Sequence, residues 1–114
     1  MTFFCFSIDT ECDMPNWKPL ESPKIENIKE LPKLHDLLDK YEIRPTYLIT
    51  YPIADIPLGI DTIKSLMKRN NCEIGTHLHP WTTPPISKDE IEKATFPFQL
   101  SDSLHKLKLV NQTI

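Results

Sequence analysis

The sequence predicts an α/β fold with a parallel sheet in the order strand, helix, strand, helix, strand. Three observations predict it. Short apolar runs occupy residues 2–8, 45–51 and 72–76, and stretches with helical apolar spacing separate them. Polar residues able to do chemistry stand directly after the first and third runs, where ligands of parallel α/β sheets bind.

The first run, Thr2–Ile8 (TFFCFSI), is almost continuously apolar and ends at Asp9, which suits a strand buried on both faces. The segment Asp13–Lys24 is proline-rich and aperiodic, and Trp17 within it reads as a loop anchor. From Ile25 to Tyr41, Ile28, Leu31, Leu34, Leu37, Leu38 and Tyr41 recur at three- and four-residue spacing. This predicts an amphipathic helix with Pro32 tolerated near its start and His35 on the charged, solvated face. Pro45–Tyr51 (PTYLITY) is rich in β-branched and aromatic residues and reads as the second strand, followed by a proline-bounded loop at 52–58. Gly59–Asn70 reads as a second helix with Ile60, Ile63, Leu66 and Met67 inward and Asn70–Asn71 as its stop. Cys72–Thr76 is the third strand. Beyond it the sequence predicts mostly loop to Pro97, with a short helical piece at Lys88–Ala94, and then a helix at Ser101–Val110 that carries His105 toward solvent.

Composition narrows the function. In 114 residues, 39% hydrophobic and 25% charged, the chain has the makeup of one ordinary globular unit. Thirteen basic and sixteen acidic residues are interspersed without a basic stripe, so nucleic acid is not an expected partner. No apolar run reaches the roughly 18 residues of a membrane span, and no signal peptide leads the chain, which together imply a cytoplasmic protein with no membrane partner. Cys5, Cys12 and Cys72 are odd in number and form no Cys-x-x-Cys pair, so they are expected as reduced thiols.

Two spaced pairs carry the chemistry. Asp9-Thr10-Glu11 puts two carboxylates at i and i+2, on one side of an extended segment, and His77-Leu78-His79 does the same with imidazoles. A carboxylate with two histidines is a common ligand set for catalytic zinc or a similar divalent ion. Each pair alone also has an ordinary reading, as a cap or a solvated loop group.

Taken in order, FSIDTE, LPKLHDLLDKYEIRPTYLITYPIA and CEIGTHLHPWTTPP resemble the polysaccharide deacetylase, or NodB-homology, family, in particular members with a His-Leu-His-Pro-Trp second motif. The resemblance covers nearly the whole chain. It implies a parallel βαβαβ portion of a (β/α) barrel-type deacetylase fold, with residues 1–114 forming a single, incomplete N-terminal portion. A barrel of this kind takes on the order of 250 residues and about eight strands. Self-association through an open sheet edge is therefore expected.

The resemblance also implies roles. Asp9 matches the catalytic base and His77 a metal ligand. Where the family has adjacent acidic residues, this chain has Asp9-Thr10, so either Glu11 ligates or Asp9 does. Where the family has a second histidine four residues on, this chain has Trp81, which cannot ligate, and His79 is the substitute ligand or a substrate contact. Trp81 could stack on a pyranose ring. The implied activity is metal-dependent removal of acetyl groups from N- or O-acetylated sugars of a polysaccharide, with zinc the leading cofactor and carbohydrate the partner. The alternatives are hydrolysis of another C–N bond, such as a cyclic ureide or imide, or an inactive metal-binding fragment. No later general acid or arginine partner can be picked out, so the chain by itself is expected to be a poor catalyst.

Overall fold

A computed structural model describes residues 1–17, 22–86 and 88. Strands β1 (Phe6–Thr10), β2 (Pro45–Ile49) and β3 (Glu73–Thr76) form one sheet in the order β1-β2-β3, with both pairs parallel. The predicted strand order and direction are therefore present. Helices α1 (Leu31–Lys40), α2 (Tyr51–Asp55) and α3 (Pro57–Met67) make the connections. The pieces expected at Lys88–Ala94 and Ser101–Val110, His105, and the side chain of Trp17 lie outside the described residues, Lys88 apart.

β1 starts later than its apolar run, because Phe3 and Phe4 are 82% and 76% exposed. Nor is it buried on both faces. Phe6, Ile8 and Thr10 face inward while Ser7 and Asp9 are exposed, an alternation typical of a sheet covered on one side. The register Ile8↔Tyr47↔Ile74 continues the covered face across all three strands. Against it pack Cys12, Ile25, Ile28, Leu31, Ile53, Ile63 and Leu66. The other face carries Ser7, Asp9, Leu48 and Gly75, and it is the face that leads to the polar pairs.

The first helical stretch is divided. Residues Glu26–Glu30 form a 3-10 turn, and α-helix begins only at Leu31. Pro32 has no N–H to give the Ile28 carbonyl, so continuous α-helical bonding cannot run through this point. Asp13 caps the 3-10 turn from thirteen residues away, its carboxylate accepting from the N–H groups of Glu26 (3.0 Å) and Asn27 (3.1 Å).

His35 corrects the sequence reading, which put it in solvent. It is fully buried, while Leu34, Leu37 and Tyr41 are 37%, 52% and 65% exposed. The inward stripe is Leu31, His35 and Leu38 at i, i+4 and i+7, continuing from Ile28. Burial of the imidazole is tolerated because both nitrogens are satisfied, Nδ1 by Tyr47 Oη at 2.7 Å and Nε2 by Asn71 Oδ1 at 2.9 Å. Asn71 Nδ2 donates to Asp39, which leaves its oxygen to accept from His35 Nε2–H; His35 Nδ1 then accepts from the phenol.

The proline-bounded segment 52–58 is helical rather than loop. Pro52 stands second in α2 and Pro57 first in α3, within the first turn where a missing N–H costs nothing. The two helices meet closely at Gly59, where a Cβ would come within 2.3 Å of the Ile53 carbonyl oxygen. Any side chain there would force the pair apart. No helix among the described residues is long and apolar enough to cross a membrane.

Candidate metal centre

The two polar pairs arrive at one place because the sheet brings them there. Thr10↔Ile49 and Ile49↔Thr76 are the last paired positions, so the chain leaves β1 and β3 level with each other at the carboxyl edge. Backbone bonds extend the ladder one rung further, Thr50 N–H to the Thr10 carbonyl (3.1 Å) and His77 N–H to the Ile49 carbonyl (2.8 Å). Asp9 and Glu11 at i and i+2 then share the uncovered face with His77.

Both loops are tied down. Asn27 Nδ2 donates to the Glu11 carbonyl (3.1 Å), and Asp13 N–H donates to the Lys24 carbonyl (2.7 Å), closing the segment after β1 upon itself. After β3, the N–H groups of Thr82 (3.1 Å) and Thr83 (3.0 Å) both donate to the His79 carbonyl, forming a tight turn under the imidazole. Asp13 and Asn27 were not singled out from sequence. Their roles depend on contacts 13 to 16 residues along the chain, which no local pattern announces.

Glu11, His77 and His79 form a group that could hold a metal ion, one ligand atom from each lying within 4.8 Å of the others. The imidazoles stack with centroids 4.5 Å apart and planes inclined by 17°. That is well inside the roughly 7 Å beyond which two rings could not share an ion at ligand distances of about 2 Å. Glu11 Oε1 lies 3.1 Å from His79 Nε2 and 3.7 Å from His77 Nδ1. The approach of His79 holds the Glu11 carboxyl below the ordinary carboxylate range, against the opposing pull of burial, and His77 adds to the depression. An ionised carboxylate is the form that ligates.

Three ring nitrogens, Nδ1 of His77 and both of His79, are buried without a hydrogen-bond partner. Asp9 Oδ1 lies 3.2 Å from His77 Nδ1 and Glu11 Oε1 3.1 Å from His79 Nε2. Buried polar atoms are rarely left so, and a divalent ion among two imidazoles and a carboxylate would satisfy one nitrogen of each ring. The donor set fits such an ion, and its identity is open between zinc and its neighbours.

Asp9 stands at the edge of the group. Its carboxylate is 59% exposed, with Oδ1 3.2 Å from His77 Nδ1. Trp81 lies beneath, 5% exposed, with its ring centroid 4.4 Å from that of His79. The indole packs against the imidazole and exposes little of its surface. Cys5, Cys12 and Cys72 are free thiols outside the group, and burial pushes those of Cys12 and Cys72 up. No protein-family model matches this sequence, and no match was found among curated proteins or solved structures.

Proposed function

We propose that the chain is part of a metal-dependent hydrolase that removes acetyl groups from N- or O-acetylated sugars, on a (β/α) barrel-type polysaccharide deacetylase fold. The observation that carries this reading is the convergence of Glu11, His77 and His79 at the carboxyl edge of a parallel sheet, with the exposed carboxylate of Asp9 beside them. Glu11, His77 and His79 are the residues to hold the ion. A bound divalent ion would polarise the acetyl carbonyl and bring the acidity of water close to neutrality. Asp9, in contact with solvent and not needed as a ligand, is the group to accept the proton from the attacking water. Trp81 keeps His79 in place, and Asn27 holds the Glu11 backbone.

The test is acetate release from N-acetylglucosamine oligomers and O-acetylated xylan by zinc-loaded protein, compared with chelated protein. Zinc-dependent release, however slow, that disappears in His77→Ala is the expected result. Hydrolysis of cyclic ureides or imides in place of acetylated sugars would move the reading to another C–N bond. Tight zinc binding with no hydrolysis of either class would leave a metal-binding protein without this activity.

A further inference from the structure

We propose that a groove beside the metal centre is a subsite for a second pyranose ring, with Tyr51 as its stacking platform and Asp55 as acceptor for its hydroxyl groups. This rests on the carbohydrate reading above, in which one sugar brings its acetyl group to the metal and the next must lie somewhere. The groove encloses about 330 Å³ and is lined by Ser22, Tyr51, Asp55, Thr82, Pro84 and Ile86 among others. That is in the range of small-ligand sites. Its walls come from the segments following all three strands: Ser22 after β1, Tyr51 and Asp55 after β2, Thr82 to Ile86 after β3. In parallel α/β sheets these segments make the ligand site.

Position links the groove to the metal centre. Tyr51 is two residues beyond Ile49, whose carbonyl accepts the His77 N–H. Thr82 binds the carbonyl of His79 through its N–H (3.1 Å) and its hydroxyl (3.4 Å). Thr82 thus joins the groove wall to the segment that carries His79.

The lining selects the ligand class. Among the described residues Asp55 is the sole charged residue lining the groove, which disfavours anions, phosphorylated ligands included. Tyr51 is 42% exposed, and its hydroxyl donates to Asp55 Oδ1 at 3.4 Å, a weak bond that a sugar hydroxyl could replace. An aromatic face beside a carboxylate suits a pyranose, which offers an apolar C–H face and donor hydroxyls at its rim. Pro84 and Ile86 supply the facing apolar wall. Among the described residues that line the groove, Tyr51 is the aromatic able to stack here.

The experiment titrates zinc-loaded protein with chitotetraose and with unacetylated cellotetraose, following amide chemical shifts, in wild type, Tyr51→Ala, Tyr51→Phe and Asp55→Asn. Both oligosaccharides should bind wild type. Tyr51→Ala should weaken both by roughly five- to tenfold, Asp55→Asn severalfold, and Tyr51→Phe little. Zinc affinity checks the fold of each variant, and Tyr51→Ile replaces the alanine variant should that one lose zinc. Binding of cellotetraose that depends on Tyr51 upholds the subsite even where no acetate is released, a result that would overturn the deacetylase reading alone. Tetrasaccharide binding indifferent to Tyr51 and Asp55, or no binding of either tetrasaccharide, overturns the subsite.

Discussion

Asp9 and Glu11 are two residues apart, share a face and both approach His77, yet their surroundings differ. Glu11 is drawn against both imidazoles and its carboxyl is held in the ionised form, whereas Asp9 is open to water. Glu11→Ala should therefore lower zinc affinity on the order of 100-fold or more, and Asp9→Ala only about tenfold, as expected of a partner outside the ligand set. Isothermal titration measures both, and the reverse order would make Asp9 the ligand. The ligand group was legible in the sequence because both pairs are local, each spaced by two in an extended segment. The place of His35 was not. Whether a histidine is inside or outside depends on partners such as Tyr47 and Asn71 that only the fold brings near.

Helix α1 depends on what its polar stripe meets. Burial pushes the Tyr47 phenol up to about 12. The folded value lies above the unfolded one near 10, so this contribution is complete below about pH 10 and is lost as pH rises toward 12. Two pH units correspond to about 3 kcal/mol at most. Tyr47→Phe should flatten that alkaline loss, seen by urea denaturation at several pH values. At neutral pH it should cost about 1–2 kcal/mol, because His35 Nδ1 then has no donor. The C-terminus of the same helix turns through Glu42 at φ 56°, with Glu42 N–H to the Asp39 carbonyl and Ile43 N–H to the Leu38 carbonyl, both 3.0 Å. This is a Schellman ending whose left-handed position favours glycine. Glu42→Gly should raise stability by about 1 kcal/mol, read from the same denaturation curves, and an unchanged or lower midpoint would count against the motif. The three strands and the helices between them were legible from periodicity, while their boundaries and the short helix α2 were not. Pro52 and Pro57 looked like loop markers, and their role as helix starters depends on the packing of α2 against α3, which no local pattern announces.

At the scale of the molecule, the residues that could hold an ion follow the two outer strands, and among the described residues none follows β2 between them. An ion held by Glu11 and the two histidines would tie the edges of the sheet together, so zinc at 100 times its Kd should add about 2.7 kcal/mol to the unfolding free energy. Thermal melting should show the gain, a chelator should reverse it, and His77→Ala should abolish it. Among the described residues β1 and β3 each pair on one side only. Such edges recruit further strands, so sedimentation should reveal concentration-dependent association that is absent at low micromolar protein. The register of β1 against β2 has one more consequence. A slip by a single residue would keep nearly all of the backbone bonding and yet turn Asp9 and Glu11 to the opposite face. A misaligned sheet of that kind would turn Phe6 and Ile8 out of the core and would be blind to metal. Capture of the ion would therefore act as a proofreader of the chain's own folding, drawing the population toward the alignment in which carboxylate and imidazoles meet.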